Sequence, residues 1–105
     1  MIRTDPIHLI DLCPEWIDHR TQRGVAVAFD CPCRSPHCDY GDRRIVGFTN
    51  PLSGGGPSKA FRMTHHRTGD TFSTLVLHPA IFVRNHWHGW LGGSDGSLPG
   101  LLVSC

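Results

Sequence analysis

The sequence predicts a mostly β domain, a small antiparallel sheet or sandwich with long loops. Three observations carry that expectation. Residues 24–31, GVAVAFDC, alternate Val25, Val27 and Phe29 with Ala26, Ala28 and Asp30, the period of a strand. No segment sustains a period near 3.6. Twelve glycines and eight prolines in 105 residues break the chain into short pieces joined by turns.

The elements follow in order. Residues 2–12 mix apolar and polar positions around Pro6 and suit a short strand or an irregular arm. Residues 13–24, CPEWIDHRTQRG, place Pro14 where a first helical turn tolerates it and Gly24 as a stop, which predicts a helix of one or two turns. The strand over 24–31 comes next, and RRIVGFTNPL (43–52) returns as the second strand of a hairpin. SGGGPS (53–58) is a turn, KAFRMTHH (59–66) a third strand, and RTGD (67–70) its turn. TFSTLVLHPAIF (71–82) alternates again, with Pro79 limiting its pairing. RNHWHGWLGG (84–93) runs as a strand into a glycine turn, and LPGLLVSC (98–105) closes the fold. Trp87 and Trp90 fall on opposite strand faces, so at least one packs in the core.

Length makes residues 1–105 one domain, with a core that is adequate but modest. Net charge is +1, and the basic residues are scattered, so no stripe suited to phosphate backbones exists and nucleic-acid binding is not expected. The N-terminal sixteen residues carry Asp5, Asp11 and Glu15 and no long apolar run, unlike a signal peptide. Nothing approaches the ~18 apolar residues of a membrane helix. The expectation is a soluble chain made in a reducing compartment.

The five cysteines are an odd number, which argues against a simple disulfide framework. Three of them fall in FDCPCRSPHCDY (29–40). Cys31 and Cys33 are too close in sequence to bridge each other without strain, and clustered thiols in a reducing compartment favour metal. Zinc takes four tetrahedral ligands from thiolates and imidazoles. Cys31, Cys33 and Cys38 offer three from one loop, while Pro32 and Pro36 restrict its backbone. The fourth is sought in NHWHG, where His86 and His88 lie two apart; His37 adjoins Cys38 too closely to share its metal. Isolated Cys13 and Cys105 read as small buried apolar residues.

Three segments together resemble a small bacteriophage- and prophage-encoded family of unknown function: RGVAVAFDCPC (23–33), GDTFSTLVLHPAI (69–81) and HWHGWL (86–91). The likeness covers residues 23–96, leaving 1–22 as an N-terminal arm or short helix and 97–105 as a closing strand or tail. It implies a zinc site built on Cys31, Cys33 and a histidine matching His88. Asn85 stands where that pattern often has a cysteine, which leaves His86 as a substitute, and Pro79-Ala80 replaces its usual Pro-Ser.

Catalysis finds little support. An activated zinc-bound water wants a nearby carboxylate, yet Glu15 is the one glutamate and no H-E-x-x-H or deaminase signature occurs. Asp30 and Asp39 adjoin the cysteine cluster but suit loop hydrogen bonding. His65-His66 suit a second metal or acid–base pair, or a solvated turn. The expectation is therefore a phage-encoded, zinc-stabilised binding or structural protein of the virion or host cytoplasm. A decoration or tail-associated part, with residues 1–10 as an arm reaching a neighbour, is the leading role. An intracellular factor that inhibits a host protein is the alternative, and a metal-dependent hydrolase the distant one. A phage or host protein is the expected partner, and self-association is compatible.

Overall fold

The computed structural model describes residues 6–33, 43–56, 63–83 and 86–104, and shows two β-sheets sharing one core. The four-stranded sheet has the order β1-β9-β8-β7, from Ile7–His8, Leu101–Ser104, Trp87–Leu91 and Ile81–Val83. The five-stranded sheet runs β2-β3-β4-β5-β6, from Glu15–His19, Gln22–Asp30, Arg43–Phe48, Met63–Thr68 and Val76–His78. All pairings are antiparallel except β4 with β5, which is parallel. No helix among the described residues is long and apolar enough to cross a membrane.

Alternation decides which side chains enter the core. Val27 and Phe29 of β3 and Val46 and Phe48 of β4 face Leu75 and Leu77 around β6, Trp87 and Leu91 of β8, and Leu102 of β9. Ala26 and Ala28 lie on the other face of β3 and are buried too, so this central strand is apolar throughout. On β8 the two tryptophans separate as strand geometry requires: Trp87 is fully buried, and Trp90 is half-buried on the outer face. Gly89 makes room for this, because a β-carbon there would meet the Trp87 ring.

The helix expected over 13–24 is instead the strand β2. Trp16 pairs with Val27 in register and rests on Phe48 and Phe72, with ring centroids 6.2 and 4.6 Å apart. That contact and the ladder with β3, bulged between Ile17 and His19, outweigh the weak helical cues of Pro14 and Gly24, since local propensity yields to tertiary packing. Gly24 serves a different purpose: its φ is +58°, Asp18 Oδ1 accepts its N–H at 2.7 Å, and a β-carbon would overlap the Leu52 side chain.

The segment expected to be an arm is also integrated from residue 7 onward. Ile7 and His8 pair with Leu102 and Leu101, and a 3₁₀ turn over Leu9–Leu12 sends Leu9 and Leu12 into the core. The expected single strand over 71–82 is two strands in different sheets. Thr71 and Thr74 close a turn by mutual hydrogen bonds, β6 follows, and after Pro79, which lacks an N–H, β7 joins the other sheet.

Candidate metal centre

β3 delivers Cys31. The strand ends at Asp30, so the next residue sits at the rim of the core, 4% exposed, followed by fully buried Pro32 and half-buried Cys33. The opposite sheet delivers the imidazole. His86 occupies the turn just before β8 and is 7% exposed, anchored by Trp87 next to it. Cys31 Sγ and His86 Nε2 lie 3.2 Å apart, and the ligand atoms of Cys31, Cys33 and His86 all fall within 4.8 Å of one another.

Tetrahedral zinc with bonds of about 2.3 Å to sulfur and about 2.05 Å to nitrogen sets its ligands roughly 3.6 Å apart for S and N and roughly 3.8 Å for two sulfurs. The observed S···N separation is within a few tenths of an ångström of that. Two thiols and an imidazole converging at the buried rim form a soft donor set that suits zinc and other thiophilic metals. Coordination through Nε2 leaves Nδ1 for an outer hydrogen bond.

Of the residues expected at this site, the structure brings together Cys31, Cys33 and His86. Cys38, His37 and Asp39 lie outside the described residues, as does Asn85. His88 is elsewhere: it stands on the outer face of β8, edge-on to Phe82 at 5.2 Å and near Trp90 at 6.4 Å. The expected same-face relation of His86 and His88 does not arise, because His86 precedes the strand.

Two carboxylates, Asp30 beside Cys31 and Glu15 farther back on β2, are committed to an arginine. Arg43 Nη1 donates to Asp30 Oδ1 at 3.0 Å and to the Cys13 carbonyl at 2.7 Å, while Nη2 reaches Glu15 Oε1 at 2.9 Å and the Ala28 carbonyl. Burial opposes the guanidinium charge, but the bonds to Asp30 and Glu15 outweigh it and hold Arg43 above its ordinary range. Arg43 carries no motif in the sequence; its role emerges only from the β3–β4 register, which makes Arg43 and Asp30 direct cross-strand partners.

No known protein family, curated protein or solved structure matches the chain.

Proposed function

We propose that this protein is a zinc-stabilised β module whose metal is structural and joins the two sheets. The observation that carries this is the 3.2 Å approach of Cys31 and His86, buried residues that flank strands of different sheets and lie 55 positions apart in sequence. A cation gripping both would fasten β3 to β8 at one rim of the sandwich. Zinc would supply only bond strength there. The Arg43 ion pairs of Asp30 and Glu15 support this over a hydrolytic centre, since both carboxylates are already engaged. Cys38 is the natural fourth ligand on spacing, and it would close the coordination sphere.

Elemental analysis of protein purified without added metal tests the reading. One zinc per chain is expected, lost in Cys33→Ser and kept in Cys13→Ser. Metal-free wild-type protein with unchanged stability contradicts it.

For the biological setting the sequence resemblance is the support. We place the protein among phage-encoded binding or structural proteins, with a virion part as the leading role and a host-directed inhibitor as the alternative. Two exposed apolar side chains at one end of the four-stranded sheet support a protein neighbour: Ile10 is 60% exposed and Leu98 45%, with Pro99 lining a shared cavity beside Ile10. Mass spectrometry of purified particles separates the two roles. Presence in the particle is expected; absence there, with copurification of one host protein, favours the inhibitor.

A further inference from the structure

The adjacent histidines of β5 part company. His66 is exposed and stands opposite His78 in the β5–β6 ladder, whereas His65 turns inward and is 8% exposed. Both ring nitrogens of His65 are occupied. Nε2 lies 3.2 Å from the Ala80 carbonyl oxygen, and Nδ1 lies 2.6 Å from Thr64 Oγ1.

These contacts fix the tautomer. A carbonyl oxygen only accepts, so Nε2 carries the proton and donates it to Ala80. Nδ1 is then a bare lone pair, and the Thr64 hydroxyl must be the donor. Burial, partly offset by the Ala80 bond, holds the His65 pKa below its ordinary 6.5, so the ring is neutral at pH 7. A hydroxyl aimed at a neutral imidazole, with the far nitrogen held by an acceptor, has the arrangement of nucleophile, base and orienting group.

The surroundings provide room for a substrate. Thr64 is exposed. Thr64 and His65 line a cavity of about 260 Å³ between β4 and β7, whose walls include Arg44, Ile45, Ile81 and Phe82. Ile45 and Phe82 are more than half exposed, at 56% and 55%, so the apolar wall is open to an incoming ligand.

The geometry points to an acyl-transfer site in which Thr64, activated by His65, takes the acyl group of a small carboxylic ester held against Ile45 and Phe82. Thr64 Oγ1 bonds to the acyl carbon as its proton passes to His65 Nδ1. The ester C–O bond then breaks, and the imidazolium returns that proton to the departing alcohol. Ala80 accepts from Nε2 throughout, which steadies the transient cation. Water attacks the acyl-threonine by the same proton route, releasing the carboxylic acid and restoring the hydroxyl. Arg44 lines the same cavity and contributes positive charge to its wall. No metal ligand takes part, so this activity goes beyond the structural reading of the zinc site.

The test uses metal-loaded full-length protein and 4-nitrophenyl butyrate. Release of 4-nitrophenolate is followed, and peptides are mapped after neutral hydroxylamine has removed thioesters from cysteines. The expected result is an O-butyryl group on Thr64, retained in Thr64→Ser and absent in Thr64→Ala, with release slowed about 10²-fold or more in His65→Gln. Thr64 is exposed, so Thr64→Ala keeps the fold, which near-ultraviolet circular dichroism and metal content verify. Release by Thr64→Ala at the wild-type rate, acylation confined to other residues, or release no faster than the buffer blank each overturns the proposal.

Discussion

Replacing His86 with alanine would remove the four-stranded sheet's hold on the proposed metal while leaving Cys31 and Cys33 in place. The size of the effect follows from the chain length the metal closes. Cys31 and His86 are 55 residues apart, and a cross-link over a loop of that length lowers the entropy of the unfolded chain by an amount worth about 4 kcal/mol at 25 °C. Net stability for a domain this size is about 5–15 kcal/mol, so the loss takes a large share of it. With a urea slope of about 2 kcal/mol per molar, the midpoint drops by about 2 M. Trp87, fully buried and adjacent to His86, supplies the fluorescence signal. Urea curves are recorded for wild type and His86→Ala, each with and without a chelator. The expected pattern is a chelator-sensitive wild type that falls toward the variant, and a variant that ignores the chelator. Coincident midpoints in all four curves would refute the cross-link, because removing a ligand and removing the metal would then both be without consequence.

Three further outcomes follow from other parts of the fold. Gly24→Ala combines a positive φ with overlap on Leu52 and is expected to cost about 1–3 kcal/mol, read as a lowered melting temperature with unchanged metal content. Glu15→Gln breaks one exposed ion pair to Arg43, so stability should change by no more than about 1 kcal/mol and bound metal not at all; loss of metal would place Glu15 in the site. His65 has its pKa lowered by burial from an ordinary 6.5, so between its folded value and 6.5 the unfolded chain binds more protons. Stability therefore rises with pH through that window and falls as the pH drops below 6.5. The stability of wild type relative to His65→Gln, from urea curves at neutral and mildly acidic pH, should shrink on acidification; an unchanged difference would contradict a buried neutral imidazole.

How far the sequence could be read depended on whether the deciding contacts were local. The β3–β4 hairpin was legible because Val25, Val27 and Phe29 alternate within one strand, and Cys31-Pro32-Cys33 was legible as a candidate ligand pair because its spacing is itself the signal. β2 was not legible as a strand. Trp16 earns its place by contact with Phe48 and Phe72, over thirty and over fifty residues away, and nothing within residues 13–24 announces that. The switch at Pro79 was half legible: proline warned of an interruption, but the transfer of β7 to the other sheet depends on where β8 lies. The choice between His86 and His88 is of the same kind. Two histidines two apart look equivalent in sequence, and only the start of β8 at Trp87 separates them, one in a turn facing the core rim and the other on an outer face.

That separation bears on why the proposed metal would sit where Cys31, Cys33 and His86 meet. The two sheets meet in the core through dispersed apolar contacts, with β6 against β8. Such contacts are non-directional and tolerate sliding of one sheet on the other. At the rim where β3 ends and β8 begins, no ladder hydrogen bonds cross from sheet to sheet among the described residues, because the pairings all lie within one sheet or the other. A directional bond is most useful there. With a metal bound, two thiols on the β3 side and one imidazole on the β8 side would supply it from three side chains, beside Pro32 and Trp87, both fully buried. Replacing Trp87 with leucine should therefore weaken metal binding as well as packing, since the turn that positions His86 would lose its anchor. A chelator competition that found metal affinity unaltered in Trp87→Leu would show that His86 is held by something other than its neighbour's burial.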